Sequence, residues 1–135
     1  MQTFIPRATI AILLVAGLSL AAAAEPAPDL DKDGVPDSLD NCTSVANPPP
    51  LDCDTDKDGY GNFCDADLNN DGLVDGLDFA GFNECSTSGS DPDGLGCDLN
   101  CDGLWNDLSL FKPIYEAGTP PGPSGLACAG KVPCE

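Results

Sequence analysis

The chain contains no histidine, and its only methionine is Met1. Without histidine it lacks the side chain that most often moves protons near neutral pH, and it lacks a common nitrogen ligand for zinc. Without internal methionine it has no material for the soft groove that calmodulin-like sensors open on their targets. Basic residues are nearly as scarce: five, against 23 acidic ones, for a formal charge of −18. A chain so acidic repels nucleic acid and anionic membrane surfaces. Aromatic residues make up 6% of the sequence, and the large apolar residues are scattered, so the core must be small. Chains of this size with thin cores are held by disulfides or by metal ions.

Long apolar runs are missing too, with one exception at the N-terminus. Arg7 precedes an apolar stretch over 8–20, and small residues follow at 21–24. These are the three parts of a secretory signal peptide, with cleavage expected after Ala24. The stretch falls short of the roughly 20 residues that a membrane span needs. The mature chain, 25–135, keeps every acidic residue and four lysines, for a charge near −19. It is expected to be secreted, extracellular or at the cell surface, with no membrane span.

Cysteine, by contrast, is plentiful. All eight (Cys42, Cys53, Cys64, Cys85, Cys97, Cys101, Cys128 and Cys134) lie in the mature part. An even count behind a signal peptide reads as disulfides formed in an oxidising compartment. Paired CxxC motifs are absent, which argues against a zinc ribbon. Eight cysteines allow on the order of a hundred pairings, so the connectivity stays open. Cys128 and Cys134 are near enough in sequence to form a local pair.

The acidic residues are not scattered. Four segments place acids or asparagines at alternate positions ahead of a glycine: DLDKDGVPDSLD (29–40), DTDKDGYGNFCD (54–65), DLNNDGLVDGLD (67–78) and DLNCDGLWNDLS (98–109). Alternate spacing converges oxygens on one point, and the glycine lets the backbone turn around it. A hard, oxygen-seeking cation suits such a loop, and calcium is the expected ion, at about four sites. In a twelve-position loop, side chains at positions 1, 3, 5, 9 and 12 face the ion, and position 7 offers its carbonyl.

Loop 1 then supplies Asp29, Asp31, Asp33, Val35, Asp37 and Asp40. Loop 2 supplies Asp54, Asp56, Asp58, Tyr60, Asn62 and Asp65. Loop 3 supplies Asp67, Asn69, Asp71, Leu73, Asp75 and Asp78. Loop 4 supplies Asp98, Asn100, Asp102, Leu104 and Asn106, and is expected to be the weakest. Its position 12 is the neutral Ser109, while Asp107 stands out of register. The other three close with aspartate rather than the longer glutamate. Short closing ligands and flexible loops point to weak extracellular affinities, about 10⁻⁴–10⁻³ M.

The loops differ in what surrounds them. Residues 25–65 show no helical or alternating period, and their order is expected to come from ions. After loop 3, Leu77, Phe79 and Phe82 are spaced for a short helix; after loop 4, Leu108, Phe111 and Tyr115 are too. The pattern DLN-x-DGL-x-x-x-L occurs twice, offset by 31 residues, so a loop–helix unit is duplicated. Pro113 is placed to kink or end the second helix. Position 8 is apolar in these two loops only (Val74 and Trp105), which predicts that they pair. Asp65 closes loop 2 two residues before Asp67 opens loop 3, so their ions are expected to share carboxylates. A polar linker at 86–96 separates the two units, and 117–135 reads as a Pro/Gly-rich extended or looped tail with two cysteines.

The first half resembles thrombospondin type 3 repeats. The residues that carry the likeness are DLDKDGVPDSLDNC at 29–42, Asn47-Pro48, and DTDKDGYGNFCD at 54–65. The resemblance implies calcium wrapped by almost no regular structure, with disulfides tying neighbouring repeats and Cys42 paired to Cys64. Cys53 falls where that pattern usually has no cysteine, and its partner stays open. The second half resembles a dockerin, a duplicated loop–helix calcium module, through 67–82 and 98–111. That likeness implies a protein partner similar to cohesin, bound through the helix faces.

The expected architecture is small and mostly irregular, stabilised by calcium and disulfides. A signal peptide (1–24) precedes thrombospondin type 3-like repeats (25–65), a dockerin-like pair (66–116) and the tail. The pair is an EF-hand-like (F-hand) arrangement with two short helices, and little or no sheet is expected. The leading function is a secreted calcium-binding structural or adhesive protein, self-associating at a cell surface or in matrix. The alternative is a dockerin-type module that recognises a cohesin-like partner. An enzyme is not expected: paired carboxylates can serve glycosidases, but here the ion ladders claim them, and no cysteine has a nucleophile's setting.

Overall fold

Asp75 starts the first helix. Its carboxylate accepts from the Leu77 N–H at 2.8 Å, and Asp78 reaches back to the Asp75 N–H at 2.7 Å, a reciprocal cap. Helix α1 then runs over Gly76–Ser88 and ends at Gly89 in the left-handed conformation. Helix α2, Leu108–Ala117, follows loop 4 and also ends at a left-handed glycine, Gly118. It continues for four residues past Pro113, which therefore does not terminate it. The computed structural model describes residues 25–91 and 93–135; the expected signal peptide lies outside the described residues. Among the described residues there is no strand, and no helix is long and apolar enough to cross a membrane.

The two helices meet through aromatic rings. Phe82 stacks on Phe111 with centroids 4.5 Å apart, and Phe79 leans on Tyr115 at 5.4 Å. Around this stack lie Ala66, Leu68, Cys85, Cys97 and Leu99, all buried. Leu68 and Leu99 hold position 2 of loops 3 and 4, so each loop drives one leucine into a shared core. Val74 and Trp105, at position 8, pack against the same core from its margin. In loop 1 the position-2 residue, Leu30, is instead 69% exposed. The second half thus has an apolar core, and the first half has none of comparable size.

Loops 1 and 2 rely on other means. Each passes into one turn of 3-10 helix, Asp37–Leu39 and Asn62–Cys64. The Cys42–Cys64 disulfide ties them, as the resemblance implies. Asn47 bridges as well: its N–H donates to Asp33 Oδ2 at 3.0 Å and its Nδ2 to Asn41 Oδ1 at 2.8 Å. Three further disulfides complete the set: Cys53–Cys101, Cys85–Cys97 and Cys128–Cys134. Cys53–Cys101 spans 48 residues and joins the start of loop 2 to loop 4.

The tail does not hang free. Gly125 donates its N–H to the Asp40 carbonyl at 2.9 Å, and Pro123 accepts from the Thr43 N–H at 2.9 Å. Further on, Gly130 donates to the Asp58 carbonyl at 2.8 Å and Cys134 to the Lys57 carbonyl at 2.7 Å. This strap runs close over loop 2. A Cβ at Gly59 would lie 2.6 Å from Cys134 Sγ and 2.8 Å from Ala129 Cα.

Candidate metal centre

The four acidic segments fold alike. At position 4, Lys32, Lys57, Asn70 and Cys101 have φ between 57° and 65°; they are the non-glycine residues with positive φ among those described. At position 6, Gly34, Gly59, Gly72 and Gly103 have φ between 84° and 97°. Side chains other than glycine rarely tolerate that conformation, which explains the glycine in every ladder.

Carboxylates hold this backbone in place, and the same bonds recur in each loop. Position 1 accepts from the position-6 N–H: Asp29 from Gly34 (3.2 Å), Asp54 from Gly59 (3.0 Å), Asp67 from Gly72 (2.7 Å) and Asp98 from Gly103 (2.8 Å). Position 5 accepts from position 7: Asp33 from Val35, Asp58 from Tyr60, Asp71 from Leu73 and Asp102 from Leu104, at 2.7–2.9 Å. Position 3 accepts from position 5, through Asp31, Asp56, Asn69 and Asn100. These N–H groups engage oxygens at positions 1, 3 and 5, and in loops 1, 3 and 4 both oxygens of the position-1 acid are taken. Asp29, Asp31 and Asp33 can bring their oxygens within 4.8 Å of one another, as can Asp54, Asp56 and Asp58.

The loops close differently. In loop 1, Asp37 accepts from the Leu30 N–H at 2.7 Å, and Asp40 from the Cys42 N–H at 2.8 Å. Loop 2 repeats this: Asn62 accepts from the Thr55 N–H at 2.9 Å, and Asp65 from the Asp67 N–H at 2.7 Å. In loop 3, Asp75 caps α1, and Asp78 returns to the Asn69 N–H at 3.3 Å. In loop 4 the returning carboxylate belongs to Asp107. It is 4% exposed and accepts from the Leu99 and Asn100 N–H groups and from Asn100 Nδ2, at 2.9–3.3 Å. Sequence spacing alone sets Asp107 aside as out of register. Loop 4 instead draws in its closing acid two positions early, just before α2 begins at Leu108. Ser109 lies on the helix and lines an apolar groove with Leu110, Pro113 and Phe63, while Asn106 is exposed. The twelve-position template misses Asp107; the acid directly ahead of the second helix is the signal that points to it.

Buried oxygens without a partner mark the first two loops. Asp31 Oδ2, Asp40 Oδ2 and Asp54 Oδ1 are inaccessible to solvent and accept no hydrogen bond, and Asn47 Oδ1 beside loop 1 shares this state. A buried carboxylate oxygen left unpaired costs several kcal/mol, roughly, unless a cation meets it. Loops 2 and 3 adjoin: Asn70 Nδ2 donates to Asp56 Oδ2 at 2.7 Å, and Asp58 and Asp67 line one cavity of about 280 Å³ under the tail. A third acidic group, Asp91 with Cys85 and Cys97, is no metal centre, because both cysteines are bonded to each other. The Asp91 carboxylate is occupied by the N–H groups of Leu95, Gly96 and Cys97, and so organises the linker.

Crowding leaves an electrostatic signature. Burial pushes Asp65 up to about 8, with Asp58 and Asp56 adding to the rise. Burial likewise brings Asp56 to about 6, with help from Asp58. Asp40, Asp58, Asp67 and Asp107 are raised for the same reason. An acid whose folded pKa exceeds its unfolded value stabilises the fold while protonated, and that contribution is lost as pH rises through the folded value. Metal-free protein is therefore expected to gain order on acidification, with the change running from about 8 down into the ordinary carboxylate range. Saturating calcium should reverse the slope, because the ion favours the ionised acids. Circular dichroism followed across pH, with and without calcium, checks both signs.

Residues 28–49 and 53–82 match the thrombospondin type 3 repeat. The match covers loops 1 and 2 and runs on through loop 3 into α1. The likeness to thrombospondin type 3 repeats therefore extends past residue 65, where the motifs of the first two loops end. No curated protein and no solved structure matches the chain.

Proposed function

We propose that this chain is an extracellular calcium-binding structural protein whose shape is set by about four calcium ions. The observation that carries this reading is the set of buried, unpartnered oxygens, Asp31 Oδ2, Asp40 Oδ2 and Asp54 Oδ1, inside loops of repeated geometry. A divalent ion resolves their cost, and oxygen-only donor sets select calcium over softer metals. The thrombospondin type 3 match supports the same ion. Asp29, Asp31, Asp33 and Asp40 would hold the first ion, with the Val35 carbonyl; the matching positions serve loops 2 and 3. In loop 4, Asp98, Asn100 and Asp102 would be joined by Asp107. The role is mechanical: ions neutralise an acidic chain and stiffen it for self-association or adhesion at a surface or in matrix.

Calorimetric titration of the oxidised mature protein tests this. Uptake of about four calcium ions, at affinities near 10⁻⁴–10⁻³ M, is expected. Absence of heat and of retained ion at millimolar supply would overturn it.

A second reading, a dockerin-type module with a cohesin-like partner, has one observation in its favour. Leu73 and Leu77 in one unit, and Leu104 and Leu108 in the other, are exposed at the same two loop positions, 7 and 11. A repeated apolar pair suits a protein contact. Its signature is one tight calcium-dependent partner rather than self-association.

A further inference from the structure

We propose that Asn62 is a positioning residue that couples calcium binding in loop 2 to calcium binding in loop 4. The inference rests on the calcium reading of those loops and adds a link between two of them. Position 9 of the ladder reads as an ion ligand, yet the Asn62 side chain is 4% exposed and engaged with protein groups on both of its polar atoms. Its Oδ1 accepts from the Thr55 N–H at 2.9 Å. Its Nδ2 donates to Thr55 Oγ1 at 2.8 Å and to the Asp98 carbonyl at 2.9 Å. Thr55 lies in loop 2 beside Asp54, and Asp98 opens loop 4. One amide therefore holds the first turns of two loops, across 36 residues of sequence.

The surroundings make this joint stiff. The Asn62 N–H donates to the Cys53 carbonyl at 2.9 Å. Cys53 is bonded in turn to Cys101, position 4 of loop 4. A Cβ at Gly96 would come within 3.2 Å of Asn62 Oδ1, so the amide has little room to turn. Backbone, disulfide and side chain converge on one contact between the loops. An ion that draws Asp54 and Asp58 inward reseats Thr55 and Asn62, and through them the Asp98 backbone. Loop 4 carries neither an unpartnered buried oxygen nor an acid at position 12. It has the most to gain from a first ligand set in place beforehand.

The residue type also makes sense on this account. Loop 1 has Asp37 at the equivalent position, and its carboxylate makes the equivalent bond to Leu30. Aspartate at 62 would keep the bond to Thr55 N–H but set an oxygen against the Asp98 carbonyl, where a donor now stands 2.9 Å away. Only the amide can accept on one side and donate on the other.

Asn62→Asp separates the alternatives by sign. The probe is calcium, titrated into the full oxidised protein. Trp105, the only tryptophan, sits in loop 4, and its fluorescence reports that loop. Coupling predicts that the Trp105 midpoint moves to about tenfold higher calcium, within the usual range of coupling between sites. The circular dichroism at saturating calcium should match the parent. A ligand role predicts instead tighter binding at loop 2 and an unmoved Trp105 midpoint, and that result would overturn the proposal. Loss of the saturated spectrum would overturn it as well, because Asn62 would then be a merely structural residue.

Asp54→Asn provides an independent arm, since it weakens the loop 2 ion and leaves the Asn62 amide intact. The Trp105 midpoint should rise again; an unchanged midpoint refutes coupling. A parent that takes up no calcium by calorimetry would instead be the failure of the calcium reading itself.

Discussion

Stripping divalent ions from the oxidised protein at neutral pH is expected to abolish most of its far-UV and near-UV circular dichroism and to open it to proteases. The reason lies in the balance of charge and core. A chain with 23 acids and five basic residues repels itself. Its buried apolar cluster is confined to the second half, around Phe82 and Phe111. Acids such as Asp65, Asp58 and Asp67 are held in close company, and burial raises the pKa of each. At neutral pH, without a cation, those groups must either take up protons or separate. Four disulfides limit how far the chain opens, but they do not restore the turns at Gly34, Gly59, Gly72 and Gly103. Because the covalent links persist, added calcium should bring the signal back. A chelated protein as protease-resistant as the loaded one would refute the account.

Phe111→Ala is expected to cost about 3–5 kcal/mol in saturating calcium, the usual range for deleting a buried aromatic ring. The ring is fully buried and touches Phe79, Phe82 and Tyr115. Few other apolar groups are present to close over the cavity. The loss should be local. Helices α1 and α2 give up their packing, and loops 3 and 4, whose Leu68 and Leu99 share that core, loosen with them. Loops 1 and 2 are tied by Cys42–Cys64 and by the strap over Asp40 and Asp58. At saturating calcium they should keep their ions, with loop 2 needing more calcium to fill because Asn62 ties it to loop 4. Urea denaturation at saturating calcium measures the cost, and calorimetry should find binding lost from loops 3 and 4 and kept in loops 1 and 2. Full retention at all sites would mean that the aromatic stack does not support loops 3 and 4.

Both expectations draw on features with different visibility in the sequence. The loops are legible because their determinants are local: a ligand every second residue and a glycine at position 6 specify one backbone path, whatever surrounds it. The second helix is legible from Leu108, Phe111 and Tyr115, spaced one turn apart; the first is less so, because Leu77 does not share the face of Phe79 and Phe82 and is exposed. What escapes is contact between distant segments. Nothing near Cys53 says that its partner is Cys101, and nothing in 119–135 says that its N–H groups serve Asp40, Lys57 and Asp58. Asp107 escapes for another reason. A fixed template counts positions, whereas a helix start can shift the closing acid and still deliver an oxygen to the position-3 N–H, that of Asn69 in loop 3 and of Asn100 in loop 4. Asn62 reads as a ligand in the sequence because only its neighbour in space, Asp98, shows what its amide donates to.

The strap at 122–134 has a consequence for the order in which the molecule comes together. Loops 1 and 2 leave the ribosome before the strap, but the Thr43 N–H and the Asp40, Lys57 and Asp58 carbonyls find their backbone partners in residues made roughly seventy or more positions later. A polypeptide delivered N-terminus first must hold its opening repeats in provisional form until that distant stretch arrives. Assembly of these loops is then a closing step, in which segments synthesised earlier are finished only by segments synthesised later.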